Sequence, residues 1–291
     1  MATFWLADGG ANLRAATPYT VRSEVRVEHP AAEIVRDGTA GVVAGAGPLN
    51  PIEGKAPTTV GKVFFIGSDL QPHWCAATSV QSLYRNVVAT AGHCVMDVEA
   101  PMGALDKWAF VPGHTEGAAP FGLYVGKQAA VSDHFENYRT YDHDFGFANV
   151  YDGVTLGQDG ALAGSGRLGD NVGGQGFAWN RVVGSRRDLF GYPSGGDSLA
   201  TSSGATFAVS RPGRPEERLI GVASPFANSL GAMWLATYST RSRLGYLDGI
   251  TVSVADTDGD GVFDTSVSSY FDSVAAGVYS AARHTSTGPI A

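Results

Sequence analysis

Asn86-Val-Val-Ala-Thr-Ala-Gly-His-Cys-Val-Met96 is the stretch that decides how the rest of the chain is read. Val87, Val88 and Ala89 form an apolar, β-prone run that delivers a Gly-His-Cys turn. A histidine that works as a general base needs a rigid mount and one ring nitrogen free to take a proton. A strand end followed by Ala91-Gly92 supplies such a mount. Gly92 lets the backbone turn tightly, and Cys94 offers an anchor for the turn. The plainer alternative is a core histidine beside a buried cysteine, which would leave the pattern a coincidence.

Thr90-Ala-Gly-His-Cys94 resembles the histidine motif of the chymotrypsin/trypsin-like serine peptidases. A chance match at all five positions is on the order of one in several million per window at average residue frequencies. Phe4-Trp5 and Arg14–Pro18 are similar to leader segments of actinobacterial trypsin-like proteins, and Phe190-Gly-Tyr-Pro193 to the Gly-Tyr-Pro segment of bacterial members of the family. The resemblance spans about Pro57 to Ala282. It implies an all-β fold of two six-stranded antiparallel barrels with a C-terminal helix. It divides the chain into an N-terminal extension (1–57), a first barrel with the histidine (58–160) and a second barrel with the nucleophile loop and helix (161–291). The extension reads as propeptide-like, as an arm strapped across the barrels, or as a disordered tail. Phe4, Trp5 and Tyr19 speak against the last.

Composition agrees with a β protein. Of 291 residues, 44% are apolar, only 16% are charged and 39 are glycine. Short apolar runs alternate with Gly, Pro, Asp and Ser, which argues for strands and turns. The net charge is −8 and no basic cluster occurs, which argues against nucleic acid and anionic membranes as partners. No apolar run approaches a bilayer span. Met1–Phe4 is not followed by a signal-peptide pattern. That leaves a cytosolic protein or a secreted one with its leader removed, and the second is expected because the resembled family is mostly secreted.

The chain has two cysteines, Cys75 and Cys94. The resemblance implies that they pair and clamp the turn carrying His93. Two free buried thiols are the other reading, and the cluster needed for zinc is absent from the sequence. Val60–Ile66, Trp74–Val80, Asn86–Thr90, Trp108–Pro112 and Gly122–Val125 read as first-barrel strands. Gly157–Gly176 reads as a glycine-rich linker between barrels and is no phosphate loop. Phe177–Val182, Asp188–Gly191, Leu219–Ser224, Trp234–Ala236 and Gly245–Val254 read as second-barrel strands, with Gly249–Ser253 along the primary specificity pocket. Apolar spacings of three and four predict a helix over Ser268–Ala282.

Tyr141-Asp-His-Asp144 precedes an alternating apolar strand and is similar to the family's aspartate motif. A carboxylate behind the imidazole fixes its tautomer and stabilises the imidazolium. Asp144 is the candidate, with Asp142 as competitor and an ordinary turn acid as the plain alternative.

The family's third motif, Gly-x-Ser-Gly-Gly-Pro, has no copy here. Its place before a Trp-Leu strand is Ala227-Asn-Ser-Leu-Gly-Ala-Met-Trp-Leu235. Aligning Met233-Trp234-Leu235 with the family's Pro-Trp-Leu puts Leu230 at the serine position, Asn228 at the first glycine and Ala232 at the second of the paired glycines. Leucine has no nucleophilic atom. Ser229 lies one residue early, and Ser203 in Ser202-Ser203-Gly204 is a remoter candidate. A cysteine pair of similar proteins is replaced by Ser202 and Ser224. The favoured expectation is therefore a pseudoprotease that binds a protein or peptide. The competing one is an active secreted endopeptidase using Ser229, His93 and Asp144. A third is general-base hydrolysis through water by His93 and Asp144. No cofactor is expected for the chemistry.

Asp256-Thr-Asp258-Gly-Asp260-Gly261 resembles a calcium loop, with Asp264 at the ninth position. The twelfth position is Val267 where an EF-hand needs Glu, so an EF-hand is excluded. A looser Ca²⁺ site and a plain acidic hairpin tip remain as readings. The oligomeric state is not legible.

Overall fold

In the computed structural model, residues 1–19, 33–50, 52–54, 56–97, 105–193, 196–211, 213–224 and 229–290 are described. The chain opens with α1 (Ala2–Ala15), interrupted by non-helical backbone at Ala7–Gly10. Two short strands follow, β1 (Thr17–Pro18) and β2 (Gly41–Val43). The N-terminal helix is no loose tail. Trp5 and Leu13 are buried, the Trp5 indole N–H donates to the Lys107 carbonyl at 2.7 Å, and its ring lies 5.6 Å from that of Phe64.

The first barrel uses β3 (Val60–Ile66), β4 (Pro72–Val80), β5 (Val87–Thr90), β6 (Asp106–Pro112), β7 (Tyr124–Val131) and β8 (Gly146–Val150). Their order is β4-β3-β6-β7-β8-β5, and β5 pairs back onto β4 to close the ring. Every residue of β5 and β8 is buried. These strands are covered on both faces, so they read as nearly continuous apolar runs. α2 (Asp133–Tyr138) lies between β7 and β8, and the Ser132 hydroxyl caps it by accepting from Phe135 N at 3.1 Å.

The expected glycine-rich linker is instead structured. β9 (Gly153–Leu156) and β10 (Leu162–Gly166) form a hairpin, and α3 (Leu168–Val172) follows. The hairpin tip is held by the Asp159 carboxylate, which accepts from Ala161 N, with Gly160 at φ +78°. Gly160 serves the tight turn at the hairpin tip.

The second sheet holds β11 (Gly176–Trp179), β12 (Arg186–Gly191), β13 (Ala200–Ala205), β14 (Phe207–Arg211), β15 (Arg214–Ala223), β16 (Met233–Ser239), β17 (Leu244–Ala255) and β18 (Thr265–Ser269). The main order is β13-β12-β16-β17-β18-β15-β14, with β11 on β17 and β2 on β11. Its end strands β13 and β14 are separated in sequence only by Thr206, so the sheet curls back on itself. Helix α4 (Ser273–Arg283) ends the fold. Its Tyr279 stacks on Phe177 at 4.2 Å and meets Phe147 at 5.6 Å. Among the described residues no helix is long and apolar enough to cross a membrane.

The helix starts later than its spacing suggests. Ser268 and Ser269 end β18, and Asp272 caps α4 by accepting from Val274 N and Ala275 N. β18 is buried throughout, but serines hide it in the sequence. The Ser268 hydroxyl is held by donating to the Ser269 carbonyl and accepting from Ile250 N.

Because Trp5 fills the side of the first barrel, Trp5→Ala should cost about 3–5 kcal/mol of stability. Urea unfolding of the whole chain measures it, and a loss below about 1 kcal/mol would make the helix an appendage.

Candidate active site

His93 sits in a single 3₁₀ turn, Gly92–Cys94, at the end of β5. Asp144 immediately precedes Phe145 and β8. Because β5 pairs with β8, with Thr90 opposite Gly146, the sheet itself brings the two residues together. The Asp144 carboxylate holds His93 at two points. Oδ1 accepts from the His93 backbone N–H at 2.9 Å, and Oδ2 lies 2.6 Å from Nδ1. Both residues are 2% exposed. A Cβ at Gly92 would meet Asp144 Oδ1 at 2.9 Å and the Phe135 ring at 2.8 Å, so glycine is what permits this approach. With Nδ1 donating to the carboxylate, the lone pair is on Nε2. Nε2 is buried and has no hydrogen-bond partner among the described residues. The competitor Asp142 faces elsewhere: its Oδ1 is 2.9 Å from His143 Nδ1 and its Oδ2 accepts from Arg218 N.

Cys75 and Cys94 form a disulfide, which ties β4 to the residue after His93. The loop expected to carry the nucleophile lies against the same strand. The Leu230 carbonyl accepts from Ala76 N at 2.8 Å, next to the disulfide. Ala76 O accepts from the Thr90 hydroxyl at 2.7 Å. Leu230 is buried. Gly231 has φ +82°, and a Cβ there would come within 1.9 Å of Ala76 O. Ser229 is fully buried, and its hydroxyl accepts from Tyr192 N at 2.8 Å against Gly191. It makes no bond to His93. Asn228, at the expected first glycine, lies outside the described residues.

The strand expected along the specificity pocket borders this loop. Gly231 N donates to Thr251 O, and Thr251 N donates to Ala232 O at 2.9 Å. Asp248 is the one acid on that strand. Arg187 grips both its oxygens at 2.7 Å, and burial, opposed by that arginine, raises its carboxyl. It is therefore no open receptor for a basic side chain. Ser203 is on β13, opposite Asp188 of β12, and β12 separates it from β16 and the loop.

Asp256, Asp258 and Asp260 gather with ligand atoms within 4.8 Å of one another. Their carboxylates accept from the tip's own amides, at Gly259, Gly261, Asp260 and Val262. Asp264 turns away and accepts from Thr257 at both its hydroxyl and its amide.

One buried cluster escaped the sequence reading. Lys62 of β3 is buried, pairs with Asp197 at 2.5 Å and lies over the rings of Trp74 and Tyr192, at 3.8 and 4.9 Å. Burial pulls its ammonium down from the ordinary value, against the pull of Asp197. His114 packs on Phe64, its Nδ1 3.9 Å from Asp197 and neither ring nitrogen hydrogen-bonded among the described residues, and burial beside Lys62 pushes it down to about 4. The one signal was a lysine inside the apolar run Val60-Gly-Lys-Val-Phe-Phe.

A closed barrel carrying the histidine and aspartate, a curled second sheet carrying the third loop, and a terminal helix complete the comparison. The fold is that of the chymotrypsin-like serine proteases. Protease Anisep from Arthrobacter nicotinovorans is 25% identical, with a TM-score of 0.64 over 80% of this chain and 98% of Anisep. The thermostable serine protease AL20 from an extremophilic microorganism is 23% identical, with a TM-score of 0.65 over 79% and 99% of the two chains. A Glu endopeptidase, 16% identical, has a TM-score of 0.55 over 86% and 99%. No protein-family model matches the sequence, and no curated protein matches it.

His114 gives this serine-protease fold a pH signature. The unfolded chain binds a proton at the ordinary histidine value near 6.5, while the folded chain resists until about 4. Stability should therefore fall as pH drops from about 6.5 to about 4. Denaturant unfolding at several pH values should show that slope reduced in His114→Gln.

Proposed function

We propose that the chain is a trypsin-like serine protease homologue without a working nucleophile, which binds a protein or peptide segment beside His93. The observation that carries this is the Ser229 hydroxyl, buried and held by Tyr192 N at 2.8 Å, with Leu230 next in line. A nucleophile must lie within hydrogen-bond reach of its base, and the triad acts as a unit, so loss of its nucleophile leaves little. Secretion belongs to this reading, since a disulfide suits an oxidising compartment. The acidic net charge favours a protein or peptide partner over nucleic acid or an anionic membrane. The competing reading is a secreted endopeptidase attacking through Ser229. The intact His93–Asp144 pair favours it, and it requires Ser229 to leave Tyr192 N.

A fluorophosphonate serine-hydrolase probe with peptide mapping separates the two. Wild type and Ser229→Ala are expected to label no more than heat-denatured protein. Labelling at Ser229 would establish the endopeptidase, and labelling at Ser203 would place the chemistry in another strand.

A further inference from the structure

One edge of β4 is shared between the barrel and two visitors. Backbone groups of even-numbered β4 residues face this edge. Thr78 lies opposite Ala89 of β5, Ala76 N donates to Leu230 O, and Trp74 O accepts from Tyr19 N at 2.8 Å. The last contact belongs to β1, which pairs in parallel with β4, Thr17 opposite His73 and Pro18 opposite Trp74. The Thr17 hydroxyl adds a bond of 3.1 Å to His73 Nδ1.

Tyr19 follows directly and its ring enters an aromatic corner. It meets Phe65 edge-on at 5.1 Å, His73 at 5.4 Å and His93 at 6.1 Å, tilted 31° to the catalytic-type imidazole. The buried Nε2 of His93, without a hydrogen-bond partner among the described residues, belongs to that same ring. The segment arrives from α1, which Trp5 and Leu13 anchor to the first barrel. Only Ala16 separates the end of that helix from β1.

We propose that Thr17–Tyr19 is a tethered self-ligand: an extended segment added to the β4 edge, with Tyr19 capping His93 in an aromatic subsite built by Phe65, His73 and His93. Strand addition gives affinity through backbone bonds, and a side-chain pocket gives selectivity. The tether raises the local concentration of the segment to the millimolar range. An extended peptide in trans must carry an aromatic residue at the Tyr19 position and must displace this segment. The part concerning a peptide in trans rests on the peptide-binding reading above. The capping of His93 does not, and it holds whether or not acyl transfer occurs.

The test is carbethoxylation by diethyl pyrocarbonate of the full chain with peptide mapping, using the exposed His134 as internal reference. In wild type His93 should react slowly. In Tyr19→Ala it should react at least tenfold faster, and in Tyr19→Pro, which also removes the N–H, at least as fast. Equal His93 rates in wild type and in both folded variants would overturn the capping. Amide exchange in unaltered protein supplies a check that needs no variant. The Tyr19 N–H should be protected at least tenfold over an open amide, and free exchange would overturn the pairing. A labelled Ala-Thr-Pro-Tyr-Thr peptide should bind Tyr19→Ala at least tenfold more tightly than wild type. Faster His93 modification with no such binding would support the cap and overturn the peptide-binding reading.

Discussion

A closed barrel has no free strand edge, yet this one closes along only part of β4. That strand has nine residues and its partner β5 has four, so the ring is sealed at Thr78–Val80 alone. Backbone groups left along the remaining edge need partners if they are to be buried. The structure fills them in order, with Tyr19 at Trp74 and with Leu230 and Thr90 at Ala76. His93 stands where β5 ends, which is where the edge opens. The disulfide from Cys75 to Cys94 fastens the two sides of that opening. The candidate site is thus the place where barrel closure stops, and every element there is either a wall of the gap or something laid into it.

The His93–Asp144 pair has a structural task alongside any chemical one. Asp144 satisfies a backbone N–H and a ring N–H with its two oxygens in a site nearly sealed from water. Removing the carboxylate would orphan both donors, and an unsatisfied buried donor costs about 1–3 kcal/mol. The pair also locks the end of β5 to the start of β8. Selection for folding alone would therefore keep this geometry with or without catalysis. Its presence counts as evidence for the fold first and for hydrolysis only when a nucleophile is in reach.

Much of this was legible in the sequence because local patterns carried it. Val87–Thr90 ended in a histidine turn, and Asp144 preceded alternating Phe145 and Phe147. Both signals are short and set by one strand each. Partners separated by long stretches of chain were harder to read. β18 hid behind Thr265, Ser266, Ser268 and Ser269, since a polar residue can be buried wherever a hydroxyl finds a backbone partner, and Ser268 does so. Tyr270 and Phe271 then lent a false first turn to α4. The Lys62 cluster needed Asp197 from a distant loop. The N-terminal segment showed no periodicity worth the name, because its helix breaks at Ala7–Gly10 and it is held by a few deep anchors such as Trp5.

The proposed reading of Ser229 and Leu230 rests on the register of one tight turn, and Gly231 constrains that register. Its backbone has a positive φ, and any Cβ at that place would collide with the Ala76 carbonyl, which itself is held by Thr90. Moving Ser229 forward by one position would bring Leu230 into the glycine's place. Moving the chain the other way would bring in Ala232. Either slip puts a side chain where 1.9 Å is available. Gly231 N and Ala232 O are also bonded to Thr251 on the neighbouring strand, so the turn is held from both sheets. For Ser229 to serve His93, the turn would have to be rebuilt from both sides, and the same backbone bonds that align the two barrels oppose it. In the proposed reading, Gly231 is the glycine that sets its neighbour Leu230 at the place where the serine-protease motif has its serine.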